Sequence, residues 1–361
     1  MMLRGARWFF LVTLCLALVV ASGSGCDRLR SGMIQRAADR AVAGDHTEWL
    51  DDGELHVILC GTGSPLPDPD RAAACTAVIA GGRFFLIDVG SGSWENVQLW
   101  RLPRAALGAV FLTHFHSDHI GDLGETITQS WLAGRAQSLD VYGPPGVEQV
   151  VAGFQQAYGL DSNYRIAHHG LEVLPAGGSR AIARSIKIAP GQSSVVVLDD
   201  GRLRVTAFAV NHAPVSPAYG YRFEFGGRAV VISGDTAPSE NLVINARGAD
   251  LLVHEALAAH LLAPLSQAIA ESGNQRLARM MADILDYHTT PRQAVEIASR
   301  AGVGTLVLSH IVPPPSRAIV RRLIMRGARG DWDGELMLGK DGLHLRLPAD
   351  SREVLSSYAG S

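Results

Sequence analysis

The sequence predicts an α/β fold, in which one large domain is built from two halves of alternating strands and helices. Short apolar runs alternate with amphipathic segments from Leu55 to Leu347, a pattern typical of strands joined by helices. Of the 361 residues, 47% are hydrophobic and 19% are charged, which suffices for one large core. We therefore expect a single domain over residues 53–349 and a C-terminal tail over 350–361.

The first half of the domain carries strand and helix signals in a clear order. Apolar, β-branched runs predict strands, and the segments between them predict helices. The strands are expected at 55–60, 76–80, 83–89, 109–113 and 139–142, and the helices at 93–101, 121–133 and 147–158. The segment 160–185 shows little periodicity and contains His168 and His169. We expect it to form a loop over the cleft, with both histidines in solvent.

The second half repeats this alternation. The expected strands are 195–198, 203–210, 219–225, 228–233, a run near 251, 305–309 and closing strands within 334–347, with a helix at 292–301. The segment 261–286 is helical by the spacing of its leucine, isoleucine and methionine residues. We expect a packed helix there, and a lid or a partner-facing patch is the alternative.

A dense group of metal-binding residue types follows the predicted strand 109–113. The run is His114-Phe-His116-Ser-Asp118-His119. In an extended loop alternate side chains share one side, so His114 and His116 can converge on one ion while Asp118 and His119 point towards a second. Imidazole and carboxylate ligands suit zinc, with manganese or iron as alternatives. A polar turn with solvated histidines is the competing interpretation.

This run resembles the HxHxDH signature of the metallo-β-lactamase superfamily. Further segments stand in the order typical of that superfamily: FFLIDVG at 84–90, AVNH at 209–212, AYGYRFE at 218–224, VVISGDT at 230–236, LVHEA at 252–256, YHTTPRQA at 287–294 and LVLSH at 306–310. The His-Glu-Ala and His-Thr-Thr elements resemble the ribonuclease Z branch and the arylsulfatases related to it. The resemblance implies an αββα four-layer sandwich.

The resemblance also implies two divalent metal ions held by seven side chains. The first ion would be held by His114, His116 and His212, the second by Asp118, His119 and His310, with Asp235 bridging the two. We expect Zn²⁺, and Mn²⁺ or iron are alternatives. Taken alone, His212 could be a core histidine, Asp235 a turn residue or helix N-cap, and His310 a loop residue.

Four further roles follow from the resemblance. Asp118 would orient the attacking hydroxide as well as bind metal, and His254 would act as the general acid, with Glu255 fixing its tautomer. Asp88 and His288 would support the site from behind the ligands. A structural hydrogen-bonding role is the alternative for His254, and a turn aspartate is the alternative for Asp88.

Several features favour a small substrate over a nucleic acid. In ribonuclease Z an arm that grips RNA is usually inserted between the strand of the GYR segment and the strand leading to GDT. Here Gly226-Gly227 predicts a tight hairpin at that position. The formal net charge is −3, and losing Arg4 and Arg7 with the N-terminal segment lowers it by two, to −5. Binding to a phosphate backbone needs a basic excess instead.

We therefore expect a two-metal hydrolase that cleaves a small ester, either a sulfate ester or a phosphodiester, as the arylsulfatase relatives imply. One alternative is a ribonuclease Z-type nuclease that processes the 3′ end of transfer RNA. Another is a non-catalytic binding protein on the same fold. A small-molecule ester is the expected partner and nucleic acid is not, and a homodimer is left open.

Residues 1–25 have the layout of a secretory signal peptide: two arginines, an apolar stretch that is short for a membrane span, and small residues. The sequence Gly23-Ser-Gly-Cys26 resembles a bacterial lipobox. We therefore expect export to the cell envelope, with a lipid on Cys26 that anchors the protein to the membrane. Simple secretion and an uncleaved anchor are the alternatives. The segment 26–52 is expected to be a tether with one short helix.

Two cysteines remain in the predicted domain. Cys60 and Cys75 flank the Gly61-Thr-Gly63 loop and could pair in an oxidising compartment. We expect ordinary buried thiols instead.

Overall fold

Two β-sheets packed face to face form the frame of the protein. A computed structural model describes residues 44–359. The strands, in chain order, are β1 (Leu55–Gly61), β2 (Cys75–Ala80), β3 (Arg83–Ile87), β4 (Leu107–Phe111), β5 (Leu139–Gly143), β6 (Ala181–Ser185), β7 (Ser194–Asp199), β8 (Leu203–His212), β9 (Val215–Phe225), β10 (Arg228–Ile232), β11 (Leu251–Leu257), β12 (Thr305–Val312), β13 (Glu335–Leu338), β14 (Leu343–Leu347) and β15 (Leu355–Tyr358). The first sheet has the order β15-β14-β1-β2-β3-β4-β5-β6, and the second has the order β13-β12-β11-β10-β9-β8-β7.

Helices cover the outer faces of both sheets. The α-helices are α1 (Ser93–Leu99), α2 (Ser117–Ile120), α3 (Leu123–Leu132), α4 (Val147–His169), α5 (Glu240–Ala246), α6 (Ala259–Glu271), α7 (Gln275–Asp283), α8 (Pro291–Ala301) and α9 (Ala318–Met325). Short 3₁₀ helices cover Thr47–Leu50, Arg104–Ala106 and Ile284–Asp286.

The apolar core lies in three layers. Between the sheets, the ring centroids of Phe111 and Phe223 are 5.5 Å apart. A second cluster joins Trp94 of α1 and Leu123 of α3 to the first sheet, and a third joins Leu242 of α5 to the second sheet. Because β1 and β12 are buried along their whole length, their sequences are nearly unbroken apolar runs. This arrangement is the αββα four-layer sandwich, so the predicted fold class is confirmed.

Several predicted elements differ in extent from the observed ones. The helix predicted at 147–158 continues to His169, so the first part of the expected loop 160–185 is helical. Its periodicity is weak because α4 lies on the surface and buries only Val147 and Val151. His168 and His169 are exposed in its last turn. The helix predicted at 261–286 is divided into α6, α7 and a 3₁₀ turn.

Both ends of the described chain contact the first sheet. The backbone N–H of His46 donates to the carbonyl of Arg101, and the backbone N–H of Gly82 donates to that of Leu50. At the other end, β15 pairs with β14 inside the segment predicted as a tail. The domain limits 53–349 stay a prediction. Within residues 44–359, none of the helices is both long enough and apolar enough to cross a bilayer.

Cys60 and Cys75 form a disulfide, so the expectation of free thiols is wrong. Antiparallel pairing of β1 with β2 places Gly61 opposite Cys75, with an irregularity between Leu59 and Gly61. This register brings the two cysteine Cα atoms to 5.0 Å, within the normal range for a bridge.

The ends of several parallel strands meet at one edge of the sandwich. β3 and β4 run parallel in the first sheet, and β10, β11 and β12 run parallel in the second. Ligand sites in sheets of this kind form beyond the carboxyl ends of the strands. The predicted site residues follow or end these strands, so the fold delivers them to one place.

Candidate metal centre

The structure brings the seven predicted ligands together at this edge. Three groups of potential ligand atoms each lie within 4.8 Å of one another: His114, His116, His212 and Asp235; Asp118, His119 and His310; and Asp235, His288 and His310. The first two groups reproduce the two predicted ligand sets. Asp235 and His310 also come close to His288, which was not predicted as a ligand. The role of these residues as ligands stays a prediction.

Asp235 lies in the middle of the group. Its Oδ2 atom is 3.4 Å from His119 Nε2, 3.5 Å from His310 Nε2, 3.9 Å from His212 Nε2 and 4.0 Å from His114 Nε2. A carboxylate in this position can bridge two ions. Gly234 makes the position possible, since its φ is +61° and a Cβ there would lie 2.8 Å from the Tyr219 carbonyl oxygen.

Asp88 orients the candidate ligand His119 from behind the centre. Its Oδ2 accepts hydrogen bonds from His119 Nδ1 and from the Thr113 hydroxyl, both at 2.8 Å. Its Oδ1 accepts one from the Thr113 backbone N–H at 2.8 Å. Because Nδ1 of His119 is occupied, Nε2 faces the centre, as metal-ligating histidines require.

Sequence reasoning missed two contributors to this scaffold. The Thr113 hydroxyl lies 3.0 Å from His114 Nδ1 as well as contacting Asp88, and the carbonyl oxygen of Tyr287 accepts from His212 Nδ1 at 3.1 Å. The place of Thr113 directly before the first ligand was the available signal. The contact of Tyr287 is made by its backbone carbonyl, so no side-chain type in the sequence could have signalled it.

The chemistry of the group fits divalent metal ions. His119 Nε2, His212 Nε2 and Asp235 Oδ1 are buried and have no hydrogen-bond partner among the described residues. Buried polar atoms are rarely left without partners, so three of them within the two adjoining ligand groups indicate an ion-binding site. Nitrogen and carboxylate donors suit zinc and neighbouring transition ions. The fold family likewise implies divalent ions.

Electrostatics favour the ligating forms of His114 and Asp235, whereas the carboxylates of Asp235 and Asp88 outweigh burial and raise the pKa of His119 well above its usual value. Burial and the nearby His119 lower the pKa of His114 well below its usual value, so its imidazole is neutral. Burial raises the pKa of Asp235, but the charges of His310 and His119 outweigh it and hold that pKa well below normal. Asp235 is therefore a carboxylate at neutral pH.

His254 and Glu255 point to opposite faces of β11. Leu252 and Ala256, on the same face as His254, belong to the outer apolar cluster under the helices. His254 is fully buried, and its Nδ1 donates to the Glu255 carbonyl oxygen at 2.7 Å. Burial lowers the pKa of His254, so its imidazole is neutral at neutral pH.

Glu255 instead holds His288. Its Oε1 lies 3.2 Å from His288 Nδ1 and accepts from the Thr289 backbone N–H at 2.8 Å. The His288 ring centroid is 5.4 Å from that of His212, which places it beside the centre. Burial lowers the pKa of His288, but the Glu255 carboxylate outweighs it and raises the pKa to about 9.

Comparison with known proteins identifies the family to which the chain belongs. The family model described as a beta-lactamase superfamily domain matches residues 83–311. Ribonuclease Z of Mycobacterium bovis is 38% identical over 292 residues, which is 80% of this chain and 96% of that protein. Ribonuclease Z of Mycobacterium marinum is 38% identical over 299 residues, with 80% and 96% covered. The crystal structure of human tRNase Z, short form, superposes with a TM-score of 0.58 at 22% identity, covering 81% of this chain and 99% of that one.

These relatives overturn two expectations. The expected activity on a small sulfate ester or phosphodiester is wrong, because the matching proteins are ribonucleases over nearly their whole length. The expectation that nucleic acid is not a partner is wrong for the same reason. Both expectations rest on the missing arm and the negative net charge, which are properties of the protein surface and not of the metal-binding residues. The lipid anchor is not supported either, and Cys26 lies outside the described residues.

Proposed function

The chain belongs to the beta-lactamase superfamily and to its ribonuclease Z-like branch, and on that premise we propose that it is an endoribonuclease that processes the 3′ end of transfer RNA. It is a metal-dependent hydrolase that acts on phosphoester bonds. The observation that carries the proposal is the 38% identity to ribonuclease Z across 96% of that relative. The assembled histidine and aspartate centre supplies the chemistry such a reaction needs.

We propose two Zn²⁺ ions for the centre, held by the two ligand groups with Asp235 between them. Bound divalent ions polarise a phosphoryl group and lower the pKa of a water molecule from about 15.7 to about 7. Asp118 Oδ2 lies 3.1 Å from His310 Nε2 and 3.6 Å from His119 Nε2. This carboxylate faces the same space and can accept a hydrogen bond from the attacking water, which orients it towards phosphorus.

We assign the proton donor to His288 in place of His254. Glu255 fixes the proton of His288 on Nδ1 and favours the imidazolium form. The other ring nitrogen can then give its proton to the oxygen that leaves phosphorus, and Glu255 stabilises the charge of the imidazolium beforehand. His254 is turned into the helix layer and takes no part in this transfer.

The test compares His288→Ala with His254→Gln on two substrates. On a transfer RNA precursor with a 3′ extension, we expect His288→Ala to lower kcat about 10²- to 10⁴-fold, the usual contribution of a general acid. On bis(p-nitrophenyl) phosphate the loss should be much smaller, because nitrophenolate leaves without a proton. His254→Gln should affect both substrates alike and only weakly.

Equal losses on both substrates would remove His288 from the role of proton donor. A wild-type protein that is loaded with zinc and hydrolyses the nitrophenyl ester, but leaves the precursor uncut, would overturn the proposed function.

Export of the protein remains a proposal. Its support is the signal-like pattern of residues 1–25 and the Cys60–Cys75 disulfide, a type of bond that persists in oxidising compartments. Cell fractionation with an antibody against the domain tests it. Transfer RNA precursors are made inside the cell, so recovery of the protein in the envelope fraction would favour a different RNA as substrate, and recovery in the cytoplasmic fraction would contradict export.

A further inference from the structure

We propose that four arginines on and beside α9 form a surface that binds the phosphate backbone of single-stranded RNA next to the metal centre. We call Arg317, Arg321, Arg322 and Arg326 the arginine strip. The inference rests on the proposed function, because it names the surface on which that function would hold its substrate.

The strip is exposed and carries uncompensated charge. All four side chains are exposed, and within the part of the chain that the structure describes none of them forms an ion pair; Arg321 donates only to the carbonyl oxygens of Pro315 and Ser316. Many other arginines with side chains at the surface are paired with a carboxylate. Examples are Arg165 with Asp161, Arg292 with Glu296 and Arg300 with Glu240.

Packing fixes α9, so the strip is a preformed surface. Ile324 is buried against Ile311 of β12 and Ala258. His260 of α6 lies 3.1 Å, by its Nε2, from the carbonyl oxygen of Leu323. Arg322 lies on the side of the helix away from Ile324, whereas Arg321, three positions before Ile324, lies at the edge of the buried face.

The strip begins within about 25 Å of the metal centre. His310 and Arg317 are seven positions apart, and an extended chain spans at most about 3.6 Å per residue, or roughly 25 Å here. Charges along one nucleic-acid strand are about 3.4 Å apart in a duplex, so at most about seven nucleotides cover the distance.

A groove of about 680 Å³ lies between the strip and the loop after β1. It is lined by Arg71, Ser316, Arg321, Lys340 and Tyr358, among others. Arg71 donates to the Gly339 carbonyl oxygen at 2.8 Å and contacts the Thr62 hydroxyl, and the backbone oxygen of Thr62 accepts from Ile311 N–H. The groove therefore adjoins the end of β12 that carries His310.

The composition of the groove suits an unpaired strand. Cationic side chains track a backbone, while an aromatic ring and guanidinium planes offer surfaces for stacking bases. Two carboxylates, Asp68 and Asp70, also line the groove. Asp68 Oδ2 lies 3.8 Å from Arg71 Nε, so the charges of these two side chains cancel each other. The four arginines of the strip keep the net charge of this region positive.

The short β9–β10 hairpin explains why RNA would have to be bound by a different surface. β9 ends at Phe225 and β10 begins at Arg228, so only Gly226 and Gly227 connect them, both with positive φ. An inserted arm therefore does not occupy this position. A chain of net charge −3 must concentrate its cations to hold a polyanion, and the strip is such a concentration.

The test uses the zinc-loaded full domain and a labelled 12-nucleotide single-stranded RNA. The variant Arg317→Gln/Arg322→Gln/Arg326→Gln is compared with Arg165→Gln/Arg292→Gln/Arg300→Gln, which removes the same charge from paired sites on α4 and α8. We expect the strip variant to raise Kd at least about 10-fold. It should also reduce the slope of log K against log salt by about 2, since each lost contact to a single strand contributes about 0.7. The control variant should match wild type, and thermal unfolding and zinc content check that both variants are folded.

Each other outcome decides the matter. If wild type cuts a transfer RNA precursor but the strip variant binds RNA as the control does, the inference fails and the proposed function stands. If the strip accounts for RNA binding but the precursor stays uncut, the function fails and the inference stands. The same variants are also tested for binding to vesicles of anionic lipid. The inference is overturned if wild type does not bind RNA, or if the strip variant loses binding to these vesicles while its RNA binding is unchanged.

Discussion

Two groups of buried histidines lie near the two ends of β1, and only one has the chemistry of a metal site. Near the end of β1, Gly61 lines a small cavity together with His119, Asp235 and His310. At its start, His56 and His344 are both buried, and their rings are 5.2 Å apart. The two groups are similar in residue type but differ in what their nitrogens contact.

In the group of His56 and His344, the contacts either give a ring nitrogen a hydrogen-bond partner or cover the face of a ring. His56 Nδ1 lies 3.0 Å from His344 Nε2, and His56 Nε2 donates to Asp52 Oδ2 at 2.9 Å. Trp49 packs on His344 with ring centroids 4.6 Å apart. Asp52, Glu54 and His56 have the spacing of metal ligands. Glu54, however, is held by Arg346.

The difference shows that clustering of histidines does not by itself make a metal site. The metal centre has unpartnered nitrogens of His119 and His212 around a shared carboxylate. The histidines near the start of β1 bond to each other and to Asp52, and a guanidinium lies beside them. Their role is to hold the segment before β1 against the first sheet.

The strongest test of this contrast removes one histidine from each group. We expect His119→Ala to reduce bound zinc from two ions towards one and to lower precursor cleavage by at least about 100-fold, since even residues behind the ligands contribute 10- to 100-fold. His344→Gln, which keeps a donor for His56, should leave zinc content and cleavage within about twofold of wild type. Elemental analysis and initial rates measure both.

If His344→Gln lost zinc, or His119→Ala kept both ions, the two groups would not differ as described.

A milder test exchanges the carboxylates that orient the histidines. Asp88→Asn keeps the shape but loses the charge that holds His119 Nδ1, and we expect zinc affinity to fall about 10- to 100-fold. Asp52→Asn makes the same change beside His56 and should not alter zinc affinity. Competition with a chromophoric chelator measures both constants. Similar losses in the two variants would show that the effect is on stability of the whole sheet.

The fold class and the grouping of the seven candidate ligands could be predicted from the sequence, because the residues that indicate them stand in short, local patterns. The six residues from His114 to His119 and the strand-ending Asp235 and His310 are of this kind. The proposed assignment of the proton donor to His288 in place of His254 could not be read in the same way. It depends on which face of β11 is turned to the centre, and a fully buried strand shows no alternation that would tell.

Two further differences have related causes. Pairing of Cys60 with Cys75 depends on the register of β1 and β2, which no local pattern fixes. The substrate was misjudged because a missing arm removes one way of binding RNA without removing the reaction.

The smallest expected effect concerns the acid stability of the group at the start of β1. Burial, with help from His56, lowers the pKa of His344 to about 3, whereas an unfolded histidine titrates near 6.5. The unfolded chain therefore takes up this proton first, and the free energy of unfolding falls as pH falls from about 6.5 towards 3. We expect wild type to lose roughly 1 to 2 kcal/mol more than His344→Gln between pH 7 and pH 5.

Urea unfolding at the two pH values measures this difference. His169→Gln, an exchange in the exposed last turn of α4, serves as the control and should follow wild type. Parallel pH dependence in wild type and His344→Gln would contradict the assignment.

The bond between Cys60 and Cys75 turns the stretch between them into a closed ring with a sequence separation of 15. Cys60 and Cys75 lie on strands that are hydrogen-bonded to each other. A crosslink over such a span reduces the conformational entropy of the unfolded chain, which stabilises the folded protein by about 3 kcal/mol. Arg71 and Asp68 lie within this ring. The disulfide therefore holds in place the side of the groove that carries Arg71 and Asp68, opposite α9.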